Sequence, residues 1–390
     1  MTKSSNQSGR RGPIGGVPSS VFRFLPLALL LALASAPSAQ PGCSLRHVNG
    51  YLVLNLRGTP EQMGAAHGKL LGPTVRRVVE AVIVNGEGAD PAAYAQLISG
   101  TRQMERQLPE DIRRELHALA DAAQVKYDDL VALQLFGDVQ RASRCSSFAV
   151  FGPATTTGEA IIGRNFDFYD HGVGEYASVI ISYQPEQGLP FMTITWAGII
   201  NGWTAMNTKG VVAANNTSWG RSDSLDGLST CFMIRKIVQH AQTVREGVEI
   251  IQTTPRACGT NMLVAGGSPT DAAVVEYDHK NVAVRWAERD VVIATNHFRK
   301  LYQDQPPGEE AWWCSRYQRL QQLIGDSYGQ IDRTMNFIGH PDVGMGSMNL
   351  HSALLFPKDL SFRVSMGHTP AAEYPYRPFR LTADGVVAGE

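Results

Sequence analysis

Three residues have the types and spacing to do chemistry: Cys145, Arg164 and Asp167. The run Cys145-Ser146-Ser147-Phe148-Ala149-Val150-Phe151 has the composition of an apolar strand. A Thr/Gly turn (Thr155, Thr156, Thr157, Gly158) carries it into Ile161-Ile162-Gly163-Arg164-Asn165-Phe166-Asp167-Phe168, a second strand. A hairpin lays the end of its second strand beside the start of its first. Arg164 and Asp167 are therefore predicted next to the thiol, although about twenty residues separate them along the chain. A thiol beside a guanidinium and a carboxylate is the setting of an activated nucleophile. Free cysteines are often buried simply as small apolar groups. Here the place at the head of a strand, with the cluster downstream, favours a catalytic role.

Further segments fall into order around this hairpin. Arg57-Gly58-Thr59-Pro60-Glu61-Gln62-Met63-Gly64-Ala65-Ala66-His67-Gly68 precedes it. Ala197-Gly198-Ile199-Ile200-Asn201-Gly202, the run from Met206 to Asn216, Ile293-Ala294-Thr295-Asn296-His297 and Ser315-Arg316-Tyr317-Gln318-Arg319 follow it. With Cys145-Ser146-Ser147-Phe148 and Gly163-Arg164-Asn165-Phe166-Asp167, these motifs resemble the N-terminal-nucleophile (Ntn) hydrolases of the acyl-coenzyme A:6-aminopenicillanate acyltransferase type. Choloylglycine hydrolases and acid ceramidase are relatives of that family. The ordered set spans most of the chain from the first strand onward, and it is the order that makes it specific.

The resemblance implies a precursor that cuts its own chain before the cysteine, here between Arg144 and Cys145. It implies an α+β fold in four layers, αββα. It also implies hydrolysis or acyl transfer at a carbon–nitrogen amide, or an ester, of an N-acyl small molecule or lipid through an acyl-thioester, with no cofactor and no metal. Cutting frees the α-amino group of Cys145, which titrates near 8 and suits a base for the thiol proton. Asp167 would then accept hydrogen bonds from that amine, and Arg164 would tune the thiol and fix the carboxylate. Asn216 and Asn296 are candidate donors to the oxyanion of the tetrahedral intermediate, since a neutral amide brings no titrating charge. Asn215-Asn216-Thr217-Ser218 also reads as two overlapping glycosylation sequons. Arg316 has an active-site role by resemblance.

The elements that must position these residues change character at Cys145. Residues 1–39 read as a signal peptide, residues 40–144 as a mainly helical precursor segment after one strand near His47–Leu56, and residues 145–390 as the catalytic region. Helices are expected from Pro60, from Pro109 to Ala123 and from Tyr127. Beyond Cys145 short strands dominate, interrupted by helices at Thr230–His240 and from Thr243. Further helices are expected near Ala311–Ile324 and Ile331–Phe337, and strands near His351–Phe356 and Phe362–Ser365 finish the fold. Runs of strands flanking a helix block suggest two stacked sheets between helical layers.

The leader carries Arg10, Arg11 and Arg23, an apolar run from Phe24 to Ala36 and small residues after it, the parts of an export signal. The expected location is secreted, periplasmic or otherwise extracytoplasmic, with no stable membrane span once the signal is removed. A net charge of −1 over 390 residues gives no reason to expect nucleic acid as a partner. The expected partners are an acyl substrate and the chain's own cleaved N-terminal fragment. Of five cysteines, Cys145 is the odd thiol; Cys43, Cys231, Cys258 and Cys314 allow two disulfides or none. A papain-like pairing of Cys145 with His297 would need a helix starting at the cysteine, against its Val/Phe-rich sequence. A non-catalytic ligand-binding relative would have no need of the Cys, Asp and Asn set.

Overall fold

The computed structural model describes residues 42–302 and 314–390; the signal segment, Trp312, Trp313 and the expected helix start at Ala311 lie outside the described residues. Strands Ser44–Val48 (β1) and Tyr51–Gly58 (β2) pair antiparallel. Thr59 then starts helix Pro60–Val78 (α1) with a reciprocal capping box to Gln62, and Pro60 occupies a first-turn position where its missing N–H costs nothing. The helix widens through a π-type stretch at Val79–Glu87 into Pro91–Glu105 (α2), Glu110–Ala123 (α3) and Tyr127–Gln140 (α4). Gly64 lets α1 lie directly on α3, since a Cβ there would come within 2.2 Å of the Glu115 carbonyl oxygen.

The hairpin at Cys145 forms from Ser146–Gly152 (β3) and Gly158–Asp167 (β4), with Ser146 opposite Asn165 and Ser147 opposite Arg164. A short helix, Gly174–Ala177 (α5), leads to Ser178–Pro185 (β5), Phe191–Trp196 (β6), Thr204–Asn207 (β7) and Val211–Thr217 (β8). Helices Thr230–His240 (α6) and Val244–Thr253 (α7) follow, the second capped by the Thr243 hydroxyl on the Glu246 N–H. Then come Thr260–Gly266 (β9), Asp271–Tyr277 (β10), Val282–Trp286 (β11), Val291–Ala294 (β12) and helix Ser315–Asp326 (α8).

The expected helix over Ile331–Phe337 does not form. Asp332 Oδ1 instead accepts from both the N–H and the hydroxyl of Thr334, a local turn that competes with helix, and only a 3₁₀ turn at Phe337–Gly339 remains. Asn349–Phe356 (β13) and Ser361–Met366 (β14) do not finish the fold either. Arg377–Thr382 (β15) and Gly385–Ala388 (β16) extend their sheet.

The strands form two sheets, of order β1-β2-β5-β6-β7-β8-β9-β10-β11 and β12-β3-β4-β13-β14-β15-β16. All pairs are antiparallel except β2 with β5. Alternate residues of each strand face opposite sides, which sorts the core into layers. Val53, Ile180, Ile194, Val212 and Leu263 of the larger sheet meet Ala149, Ile162, Ala353 and Val364 of the smaller one. The outer face of the larger sheet packs on α1, α6 and α7, and the outer face of the smaller packs on α8 through Phe148, Val150 and Leu320. These are the four layers, αββα, expected from the sequence. Among the described residues no helix is long and apolar enough to cross a membrane.

Candidate active site

Cys145 sits buried at the head of β3, between the layers. Its backbone N–H donates to Asn296 Oδ1 at 2.7 Å, and its carbonyl accepts from Arg316 Nη1 at 2.7 Å. Arg316 Nη2 also donates to Asn296 Oδ1 at 3.0 Å, so the late arginine and the Thr-Asn-His asparagine grip the cysteine together. The nitrogen that would become the free amine is thus the group this cluster holds.

Asp167 ends β4 beside the Arg144–Cys145 bond, and its carbonyl accepts from the Arg144 N–H at 2.8 Å. Its Oδ1 accepts from Asn349 Nδ2 at 2.7 Å, while Oδ2, buried, has no hydrogen-bond donor; Arg316 Nη1 stands 4.0 Å away. Burial pushes this carboxyl from its ordinary 3.8 up to about 6, against the pull of Asn349, Arg316 and Arg164. An acidic oxygen that is buried and without a donor beside the Arg144–Cys145 bond is suited to receive an ammonium there.

Arg164 does not bond this carboxylate. The three-residue step from Arg164 to Asp167 sends the two side chains to opposite faces of β4. Arg164 points between the sheets, where Nη1 donates to Asn216 Oδ1 at 3.2 Å and to the Asn165 carbonyl at 2.9 Å. The cation nearest Asp167 by ion pairing is Arg316, which the hairpin alone did not reveal.

The two asparagines are placed as organisers in the continuous chain. Asn296 Nδ2 donates to the carbonyls of Ser143, at 3.2 Å, and Thr217, at 2.8 Å. Asn216 Nδ2 donates to Ser147 Oγ at 2.9 Å and the Asn261 carbonyl at 3.2 Å. An NH₂ aimed at Ser143, two residues before the cysteine, becomes available to an oxyanion only when that segment moves. Asn215 and Asn216 are both buried, so neither is accessible to glycosylation in the folded chain.

Cys145, Asp167, Asn296 and Arg316 are therefore gathered in one cluster, joined through Arg144, while Arg164 and Asn216 form an adjoining pair beneath it. Sequence reasoning missed Asn349, whose only signal is a strand partner 182 residues from Asp167. It also missed the close Ser143–Thr217 hydroxyl contact. His297 has no bond to the cysteine: its Nδ1 pairs with Thr295 Oγ1 at 3.0 Å, and burial pushes its pKa down to about 4, away from that of a base working near neutrality. A strand rather than a helix follows Cys145, against the papain-like arrangement. All five cysteines are free thiols. Among the described residues no group of three or more His, Cys, Asp or Glu is arranged to hold a metal ion.

Two sheets between helical layers, with a cysteine heading the second strand of the smaller sheet, make up the αββα arrangement around this cluster. The sequence model of the acyl-coenzyme A:6-aminopenicillanic acid acyl-transferase family matches residues 154–338, just under half of the chain. An uncharacterized protein of Archaeoglobus fulgidus is 25% identical over 377 residues, covering 80% of this chain and 63% of that protein. The match thus spans less than two thirds of that relative's length. Protein dcd1A of Dictyostelium discoideum is 22% identical over 357 residues, covering 83% of this chain and 80% of its own. Among solved structures, a Caenorhabditis elegans N-acylethanolamine-hydrolyzing acid amidase orthologue aligns over 55% of this chain and 93% of its own, at 15% identity and a TM-score of 0.44.

Proposed function

We propose that this chain is an exported precursor that cuts itself between Arg144 and Cys145 and then works as an N-terminal-cysteine amidohydrolase or acyltransferase. The observation that carries the reading is the grip on the Cys145 nitrogen by Asn296, with the undonated Asp167 Oδ2 and the Arg316 guanidinium beside it. In the cut chain the freed amine takes the thiol proton, and Asp167 and Asn296 orient that amine. The thiolate attacks the carbonyl of an N-acyl amide or ester, the amine returns its proton to the leaving group, and an acyl-thioester forms on Sγ. Water or an amine acceptor then takes the acyl group, and the oxyanion of each step is met by donors such as Asn296 Nδ2 once Ser143 has withdrawn.

The leader of residues 1–39, with its basic, apolar and small-residue zones, supports export. Intact-mass measurement of the purified protein tests the reading directly. Wild type should give two fragments, the larger starting at Cys145, and that fragment should gain an acyl mass during turnover of an N-acyl amide; Cys145→Ala should stay one chain. A wild-type protein that remains uncut yet turns over amides would overturn the mechanism.

A further inference from the structure

The even and odd residues of β8 serve different purposes. Asn216 points between the sheets to Ser147 and Arg164, so Asn215 and Thr217 point the other way, into a cavity under α4 and α6. Phe136, Phe166, Phe168 and Trp203 wall this cavity, with Phe166 stacked on Trp203 at 4.5 Å and Phe168 edge-on to Phe136 at 5.3 Å. At one end Thr217 meets Ser143, next to the Asn296 and Cys145 cluster.

The other end is polar, and its hydrogen bonds fix their own direction. Asp138 accepts from Ser229 Oγ at 2.6 Å, from the Thr230 N–H at 3.2 Å and from Thr230 Oγ1 at 2.6 Å. Thr230 has spent its only hydroxyl proton on Asp138, so it can only accept from Asn215 Nδ2, which lies at a long 3.5 Å. That orients the Asn215 amide and leaves Oδ1, in a side chain 97% buried, with no donor. An undonated amide oxygen in an aromatic cavity is costly unless something else supplies the proton.

Resting on the catalytic reading above, we propose that Asn215 is a specificity-determining residue and that the acyl group this enzyme accepts is aryl with a hydroxyl on its far side. Two residues of strand separate Asn215 from Thr217, about 7 Å at the usual rise. That is roughly the reach from an arylacetyl carbonyl to a para oxygen. In the continuous chain the cavity is only about 30 Å³, with Ser143 in its wall, so the acyl group enters after the segment before Cys145 withdraws.

The test compares the anilides of 4-hydroxyphenylacetate and phenylacetate on the mature enzyme, following kcat/KM and the acyl adduct on Cys145. The hydroxylated amide should be favoured at least tenfold. Asn215→Asp, which keeps an acceptor, should retain the preference, and Asn215→Leu should bring the ratio to one or below. Equal turnover of the two amides by the wild type, with adducts formed from both, would overturn the assignment of Asn215 and leave the catalytic reading standing. No adduct and no turnover from either, by a protein that acylates Cys145 with another N-acyl amide, would overturn this assignment alone; a protein that forms no Cys145 adduct with any N-acyl amide or ester would overturn the catalytic reading, and this assignment with it.

Discussion

Asp167 combines burial, a missing donor and proximity to the Arg144–Cys145 bond, and its titration is where these meet. Desolvation raises its pKa to about 6, while Asn349, Arg316 and Arg164 hold it below what burial alone would give. A carboxyl whose folded pKa lies above its unfolded value contributes stability below the unfolded value and loses it as pH rises through the folded one. The uncut chain should therefore lose stability between about pH 4 and pH 6, over the interval from 3.8 to about 6. The ionised form is the one that can pair with Arg316 and receive the amine. Self-cleavage, followed by gel densitometry after refolding at a series of pH values, should accordingly rise with pH and level off above about 6. Asp167→Asn should cut slowly and without that inflection. An unchanged inflection in the variant would assign the titration to another group.

At the level of elements, β3 and β4 depend on a close fit that one residue controls. A Cβ at Gly163 would come within 2.2 Å of the Phe148 ring directly opposite, and Phe148 in turn packs on Phe337 at 5.8 Å. Gly163→Ala should cost roughly 1–3 kcal/mol through overpacking, read as a lower denaturant midpoint, and Phe148→Leu in the same chain should recover part of it. The hairpin was legible in the sequence because its signals are local: two apolar runs, a Thr/Gly turn and a register that the turn sets. The helices at Thr230 and Pro109 were legible for the same reason. What was not legible depends on pairings across the chain. The partner of Asp167 on β13, the separation of Arg164 from that carboxylate, and the strands β15 and β16 are fixed by sheet order, which no local pattern encodes. At Ile331, where a helix was expected, a local Asp332 turn forms instead.

For the whole molecule, the segment before Cys145 is part of the fold rather than a cover on it. Strand β2 pairs with β5 along its length, and helices α1, α3 and α4 contribute Met63, Leu116 and Leu133 to the same core as Ile234 and Val264. Between the segments before and after Cys145 one ion pair is wholly buried: Arg235 of α6 donates to Glu115 of α3 through Nη1 at 3.2 Å and Nη2 at 2.5 Å, and through Nη1 also to the Ile200 carbonyl. Burial pushes the Glu115 carboxyl up while Arg235 draws it down, so the charges are tolerable only together. The two fragments of the cut chain should remain one particle in gel filtration and separate only in denaturant. Removing one charge should be worse than removing both, because a lone buried ion keeps its desolvation cost and loses its partner. Glu115→Leu alone should lower stability by about 3–5 kcal/mol, whereas Glu115→Leu with Arg235→Met should lose less than that single change. Denaturant titration of the wild type, Glu115→Leu, Arg235→Met and the double variant measures the cycle. A double variant as unstable as the sum of its singles would show that the pair holds nothing across the cut, and that the sheet pairing of β2 with β5 alone keeps the fragments together.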